Sequence, residues 1–204
     1  MRRTQRERSE TTVAALVAAA RDLFANDGYA ATSLDAVAAA AGVTKGALYH
    51  HFAGKRELFR AVYEREQERL VAALGEAYAR KRDPWDAFEA GCRAFVESSL
   101  EPGLQRITLL DAPGVLGWEA IREIESPALA LTELGIERAM EAGRLPHRPA
   151  QPLAHLLFGA MCEGAMKIAR SEDPPAMQRA VAAELRRVLR ALAAWQLGPG
   201  KKQQ

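Results

Sequence analysis

Apolar residues recur three or four positions apart along almost the whole sequence, which leaves little room for strands. Ala, Leu, Glu and Arg dominate, whereas alternating β-branched and aromatic residues are nearly absent. The first helix is expected over about residues 9–26, with its apolar stripe at Val13, Leu16, Val17, Ala20, Leu23 and Phe24. The pattern predicts an all-α protein of about nine helices.

Cap and turn residues divide the N-terminal quarter into short helices. Gly28 is placed to end the first helix in a left-handed conformation. The run Thr32–Asp35 has the form of a capping box, which predicts a second helix over residues 33–41. Gly42 makes a turn, and Thr44 is expected to cap a third helix, Lys45 to His51.

Proline and glycine predict the later breaks. Asp83-Pro84 has the form of a helix start, with a capping carboxylate followed by proline at the first helical position. Breaks are expected at residues 101–103 and 112–114, and a kink or split at Ser126-Pro127. The last two helices are predicted over residues 152–170 and 174–197.

Charge is unevenly distributed along the chain. Residues 1–60 carry nine basic and six acidic side chains, a net charge of +3, while the remainder has a net charge of −1. A basic head on a nearly neutral body points to a polyanionic partner. The arm from Arg2 to Arg8 contributes four of the nine basic side chains, Arg2, Arg3, Arg6 and Arg8.

No membrane span or secretory signal is expected, because no run of about 18 uncharged apolar residues occurs. Cys92 and Cys162 lie in apolar helical patterns, so buried thiols and a cytoplasmic location are expected. No cofactor and no metal are expected. His50-His51 and the set His155, Cys162 and Glu163 are alternative metal sites, but adjacent helical residues point about 100° apart and cannot easily chelate together.

The two short helices over residues 32–51 match a helix-turn-helix. Val43, Leu48 and Phe52 are spaced to pack inward, whereas Lys45 and Tyr49 are not at core spacing. Nor is His50. An exposed helix of this kind fits the major groove of double-stranded DNA.

Residues 24–62 resemble the DNA-binding domain of the TetR family. The resemblance rests on fixed spacings at Gly42-Val43-Thr44, Leu48-Tyr49, His51-Phe52, Lys55 and Leu58. It implies groove contacts from Thr44, Lys45, Ala47, Tyr49 and His50. It also implies phosphate contacts from Thr32, Ser33, Tyr49, His51 and Lys55. On this basis we expect a helix-turn-helix domain over residues 1–55 and a ligand-binding and dimerisation domain over residues 56–204.

The remaining two thirds match that family only in layout. The resemblance places an effector pocket there, for which the candidate residues are Trp85, Phe88, Cys92, Phe95, Asp111, Trp118, Met161 and Glu163. An ordinary core is the alternative for each of them. A homodimer interface is expected on the last two helices, at Gly159, Val181, Leu185, Val188, Leu189 and Leu192, with an intramolecular core as the alternative.

The expected function is therefore a ligand-responsive repressor that binds a palindromic operator as a dimer and leaves it when a small-molecule effector binds. No Ser/His/Asp set, HExxH motif, Walker loop or GxGxxG motif is present, so an enzyme is not expected. The alternative is a small-molecule-binding helical protein or an enzyme with no role on DNA.

Overall fold

The computed structural model describes residues 5–194, and all regular structure within that range is helical. Two short helices, Pro102–Leu104 and Ala112–Leu116, flank a π-helical segment, Gln105–Asp111. The three together form one helical stretch, the sixth of nine within residues 5–194. The predicted all-α class is confirmed. The helices are α1 (Gln5–Ala31), α2 (Leu34–Ala40), α3 (Lys45–His51), α4 (Lys55–Ala79), α5 (Pro84–Ser98), α6 (Pro102–Leu104), α7 (Ala112–Leu116), α8 (Trp118–Glu141), α9 (Ala150–Ala169) and α10 (Pro174–Ala194).

The cap predictions hold at two helices and miss by one residue at a third. Thr44 caps α3 and Asp83 caps α5 through backbone amides two or three residues ahead. At α2 the cap is Ser33 rather than the predicted Thr32, because the Thr32 hydroxyl donates instead to the carbonyl of Gly28 at 2.9 Å. Gly28 has the predicted positive φ, 80°.

The break predicted at residues 112–114 does not occur, and α8 is not split at Pro127. Pro113 lies in the first turn of α7, and the chain continues there without a break from the π-helical segment. The chain turns instead at Gly117, with φ 80°. Helix α8 runs through Pro127, and the buried residues Ile121 and Ala128 lie on either side of that proline.

The chain divides into two compact units. The first contains the residues up to Glu68 together with Glu101–Ile124, and the second contains Arg69–Leu100 together with the residues from Glu125 onward. Helices α4 and α8 contribute residues to both units. The functional boundary predicted after residue 55 stays a prediction.

An aromatic cluster lies at the centre of the first unit. The ring centroids of Phe24 and Phe59 are 5.1 Å apart, and those of Tyr29 and Phe59 are also 5.1 Å apart, both in edge-on geometry. Leu48 of α3 belongs to the same buried cluster and has no exposed surface. This packing of α1 and α4 fixes the side of α3 that faces inward.

Polar contacts fasten the segment Glu101–Ile124 to α1 and α4 within the first unit. The Asp111 carboxylate accepts from the backbone N–H of Tyr29 at 2.7 Å. The Arg21 guanidinium lies 3.1 Å from the carboxylate of Glu101 and 3.4 Å from that of Glu66, which is only 4% exposed. Charge pairs that are partly buried hold geometry more firmly than pairs fully exposed to water.

Tyr78 of α4 is enclosed in the second unit by two glycines. A Cβ atom added at Gly91 of α5 would overlap the Tyr78 ring, and one added at Gly135 of α8 would lie 2.6 Å from the Tyr78 hydroxyl oxygen. It would also lie 2.7 Å from Phe88. The absence of side chains at these glycines therefore makes the space that the tyrosine ring occupies.

We expect Gly135→Ala to lower the free energy of unfolding by about 1–3 kcal/mol, because two rigid aromatic rings would have to move. Gly75→Ala in α4 is the matched control. Nothing lies within 4 Å of its added Cβ, so removing a helical glycine should raise stability by roughly 0.5–1 kcal/mol. Urea denaturation of both variants measures the difference, and equal effects of the same sign would contradict this packing.

Candidate nucleic-acid interface

Helix α3 has one buried and one exposed face. Leu48 is fully buried and Phe52, which follows the helix, is 6% exposed. On the other face Tyr49 is 49% exposed, and His50 is also exposed. A large aromatic side chain held in solvent beside basic groups is typical of a surface that receives another molecule.

Hydroxyl caps fix the starts of both helices of the helix-turn-helix. Thr44 Oγ1 accepts from the backbone N–H of Ala47 at 3.2 Å, and Ser33 Oγ accepts from that of Ala36 at 3.1 Å. Both capping residues are exposed, while Ala47 is half-buried. The turn between the helices uses Gly42, whose φ of 67° suits glycine. Both exposed helix starts are therefore capped by hydrogen bonds within three residues of the capping side chain.

Lys45 at the start of α3 is joined to Asp35 of α2 by an ion pair of 2.8 Å. Both side chains are more than half exposed, at 59% and 66%. The hydrogen bond and charge of Asp35 raise the pKa of Lys45, so the ammonium remains charged at neutral pH. A phosphate or base edge approaching Lys45 would compete with this carboxylate.

Lys55 and Thr32, both predicted to hold phosphates, are engaged inside the first unit. The Lys55 ammonium donates to the carbonyls of Thr32 at 2.7 Å and of Ala30 at 3.1 Å, and it lies 4.5 Å from the ring centroid of Tyr29. Thr32 is 4% exposed. A phosphate contact from the Thr32 hydroxyl would require it to leave its buried acceptor, the carbonyl of Gly28.

His50 and His51 pack edge to face at the end of α3, with ring centroids 5.0 Å apart. His50 is exposed and His51 is half-buried. Across residues 5–194 no three His, Cys, Asp or Glu side chains are grouped so that they could hold a metal ion. None of the helices in that range combines the length and the apolar character needed to cross a bilayer.

Two family models match the chain. The family described as bacterial regulatory proteins, tetR family, matches residues 16–62, and the tetracyclin repressor-like C-terminal domain matches residues 85–192. This chain belongs to the TetR family. The N-terminal match contains both helices of the helix-turn-helix. The exposed face of α3 therefore lies in the DNA-binding domain of a transcriptional regulator.

Similar proteins support the same assignment. A TetR-family transcriptional regulator from Pectobacterium atrosepticum has 37% identity and a TM-score of 0.82, covering 93% of this chain and 97% of that one. The transposon Tn10 TetC protein of Escherichia coli is 31% identical over 120 residues, 59% of this chain. The match spans 60% of the TetC length.

A more distant solved structure shows the fold alone. The transcriptional regulator FadR from Bacillus subtilis, solved in complex with stearoyl-CoA, is 17% identical with a TM-score of 0.69. The alignment covers 84% of this chain and 96% of FadR.

Most of the predicted effector contacts are core residues of the second unit. Five of them are at most 8% exposed: Trp85, Phe88, Cys92, Phe95 and Met161. Trp85 Nε1 donates to Glu89 at 3.0 Å, and burial raises the pKa of the Cys92 thiol to about 12. Glu163 is exposed. None of the six lines either of the two cavities described below.

Two further predicted effector contacts, Asp111 and Trp118, belong to the first unit instead. Asp111 is occupied by the backbone of Tyr29 and by Arg106, at 2.7 and 3.3 Å. Trp118 is 68% exposed, and the Arg122 guanidinium lies 4.1 Å from its ring centroid. Neither residue shares a cavity with the other six, so the structure does not bring the predicted set together.

The predicted dimer residues divide between the interior and the surface of the second unit. Leu189 is 2% exposed, and with Leu185 it lines a small cavity beside Glu89 and Arg93 of α5. Val181 lies over Gly164 of α9 within the same chain, and Leu192 is half-buried. Val188 is 49% exposed, and Gly159 is half-buried with open space beside it. The structure also exposes Leu156 of α9, at 73%.

Sequence reasoning missed a second cavity in this unit. It has a volume of about 460 Å³ and is lined by Tyr78 and by the basic side chains of Lys81, Arg82 and Arg138. Tyr78, Lys81 and Arg82 are close in sequence, but nothing in the sequence connects them with Arg138 of α8.

We expect Lys55→Met to lower the free energy of unfolding by about 1–3 kcal/mol, because two carbonyls at the end of α1 lose a charged donor. Lys167→Met is the matched control, since Lys167 is an exposed lysine of α9. Urea denaturation measures both.

The salt dependence of operator binding then separates the two roles of Lys55. If Lys55 also contacts a phosphate, the slope of log affinity against log salt should fall by about one. An unchanged slope with reduced stability would contradict the predicted phosphate contact, and unchanged stability would contradict the capping role.

Proposed function

We propose that this TetR-family regulator is a dimeric repressor that binds a near-palindromic operator and is released by a small-molecule effector. The observation that carries the proposal is the exposed face of α3, where Lys45 and Tyr49 extend into solvent while Leu48 anchors the helix. The protein acts by binding rather than by catalysis, and it works in the cytoplasm, where the chromosome lies.

Base recognition falls to the first two turns of α3. Thr44, Lys45 and Ala47 read base edges in the major groove, and the Tyr49 ring contacts a thymine methyl group. Ser33 and His51 contact phosphates from either side of the groove. The support is positional: Thr44, Lys45 and Tyr49 are exposed on a helix whose other face is buried.

A homodimer supplies the two recognition helices that a palindrome requires. Successive half-sites lie about 34 Å apart along the duplex, one helical turn. The exposed apolar side chains of Val188 on α10 and Leu156 on α9 favour pairing through these two helices. Leu189 is buried within its own chain and supports the interface from behind.

Effector control acts through α4 in this proposal. This helix contributes its first residues to the unit that carries α3 and its last residues to the other unit. An effector that binds the second unit releases DNA only if it binds the DNA-free conformation more tightly than the DNA-bound one. A change in the direction of α4 would then move the two recognition helices out of register.

We expect Tyr49→Ala to weaken operator affinity about 10- to 100-fold, since one base contact contributes about 1–3 kcal/mol of discrimination. Tyr49→Phe is the matched control: it retains the ring that contacts thymine and should stay within a few-fold of the wild-type protein. Gel shifts with the operator recovered by genomic footprinting measure both variants. Wild-type affinity for Tyr49→Ala would overturn the proposed DNA contact.

We expect Val188→Asp to convert dimers to monomers at micromolar concentration, because a carboxylate would be buried without a partner at the interface. Ala130→Asp is the control, an equally charged change at an exposed position of α8. Sedimentation velocity measures both. Dimers that persist in Val188→Asp would contradict pairing through α10, and monomers in both variants would deny any specific role to Val188.

A further inference from the structure

The cavity at Tyr78 has the size and walls of a ligand site. Its volume, about 460 Å³, lies within the range of roughly 300–1,000 Å³ that small-molecule pockets occupy. It lies between the end of α4, the start of α5 and α8, all within the second unit. Part of its wall is apolar, formed by Ala79, Pro84, Ala87, Leu131 and Leu134. We call it the Tyr78 cavity.

The charges around this cavity are all of one sign. Lys81, Arg82 and Arg138 line it, and no lining residue is acidic. The acidic residues nearest to the lining cations in sequence do not line the cavity: Glu76, Asp83, Asp86, Glu133, Glu137 and Glu141. Two of them pair with other arginines, Glu76 with Arg80 at 3.5 Å and Asp83 with Arg144 at 3.6 Å.

None of the three lining cations forms a side-chain hydrogen bond or ion pair with another residue of the described range 5–194. A positive potential inside a partly apolar cleft attracts anions more strongly than the same charges spread over open surface. The cations that line the cavity are therefore not held in ion pairs within the described residues and remain available to an incoming anion.

Tyr78 adds a neutral donor to this set of cations. Its hydroxyl has no hydrogen-bond partner within residues 5–194, although its ring is held between Gly91 and Gly135. Burial raises the pKa of Tyr78 above its ordinary value, so the hydroxyl keeps its proton at neutral pH and can donate it in a hydrogen bond. A fixed ring with an unused donor is a preorganised contact for an acceptor oxygen.

We infer that the Tyr78 cavity binds a small amphipathic anion, a carboxylate with an aliphatic body. The carboxylate accepts hydrogen bonds from Tyr78 and from the Arg138 guanidinium, whose planar donors match a carboxylate. The aliphatic body lies against Leu131 and Leu134. This inference deepens the proposed function by giving the effector a charge and a class, and only its regulatory part rests on that function.

A neutral or cationic ligand would fit this arrangement less well. A neutral body of the same length would fill the apolar wall but would leave the three cations without a counter-charge. A cation would meet like charges at the mouth of the cavity, which costs affinity in proportion to their closeness. The side chains therefore select for sign of charge as well as for shape.

The test uses the full-length protein and matched pairs of probes. Hexanoate, octanoate and decanoate are compared with their neutral primary amides, which keep the chain and lose the charge. Thermal unfolding gives the rise in midpoint, because a ligand of the folded state stabilises it by mass action. Calorimetric titration gives Kd. We expect at least one carboxylate to bind about tenfold or more tightly than its amide, with affinity that falls as salt rises.

Three variants locate the site. Arg138→Gln should weaken carboxylate binding about tenfold or more, and Tyr78→Phe by several-fold, since hydrogen bonds to charged groups are the stronger kind. Arg148→Gln, an exposed arginine of the loop before α9, should bind like the wild-type protein. Without ligand, all three should unfold within a few degrees of it, because none loses an ion pair within the described residues.

The results also separate this inference from the proposed function. Equal affinity for carboxylates and amides, no binding by any carboxylate, or full affinity in Arg138→Gln overturns the anion site, whatever the operator assay shows. Charge-selective binding that is lost in Arg138→Gln supports the site. If that binding leaves operator affinity unchanged in gel shifts, the site stands and its role as the effector site fails. If the wild-type protein binds no operator, that result counts against the proposed function and leaves the anion site untouched.

Discussion

The position of α3 depends on the burial of Leu48 and Phe52 against the aromatic cluster of α1 and α4. Burying two large apolar side chains contributes roughly 1.5–3 kcal/mol each, an upper estimate that exceeds any single surface interaction. A helix of seven residues is not stable alone in water, so this contact determines whether α3 exists. Because Tyr49 directly follows Leu48, burial of the leucine turns the tyrosine toward solvent. The exposed surface that defines the regulator is thus a consequence of packing on the opposite face.

The first unit also contains a segment that is distant in sequence from α1 to α3, Glu101–Ile124. Glu101–Ile124 packs beside α1 and α4, and its polar contacts end on backbone as often as on side chains. Asp111 holds the amide of Tyr29, and the Arg56 guanidinium donates to the carbonyls of Val115 and Leu116 at 3.0 Å each. Contacts to backbone groups fix the path of the chain, which side-chain pairs at a surface rarely do. Any change in this segment would therefore reach the end of α1 directly.

Local signals in the sequence were enough for the helix starts and for the face of α3, but not for features that several helices share. Thr44 and Asp83 cap helices through amides two or three residues away, so the relevant chemistry lies within one short window. Thr32 failed as a cap because its hydroxyl found an acceptor in the preceding turn, at Gly28. Asp111 looked like a pocket residue because nothing nearby in sequence shows that Tyr29 is its partner. The Tyr78 cavity was missed for the same reason, since its walls come from three separate parts of the chain.

Helix α4 carries both a lysine that caps α1 and a tyrosine that lines the Tyr78 cavity. Near its start Lys55 satisfies the carbonyls at the end of α1, and near its end Tyr78 presents an unused donor to a cavity lined by cations. The two ends differ in electrostatic state. At the start, the Lys55 ammonium already has partners in the carbonyls of Thr32 and Ala30. At the other end, Lys81, Arg82 and Arg138 form no ion pair with any residue of the range 5–194, so an incoming anion would not first have to break one. If the proposed effector binds there, it can control α3 only by favouring the DNA-free conformation, and α4 contributes residues to both units that such a change would have to link.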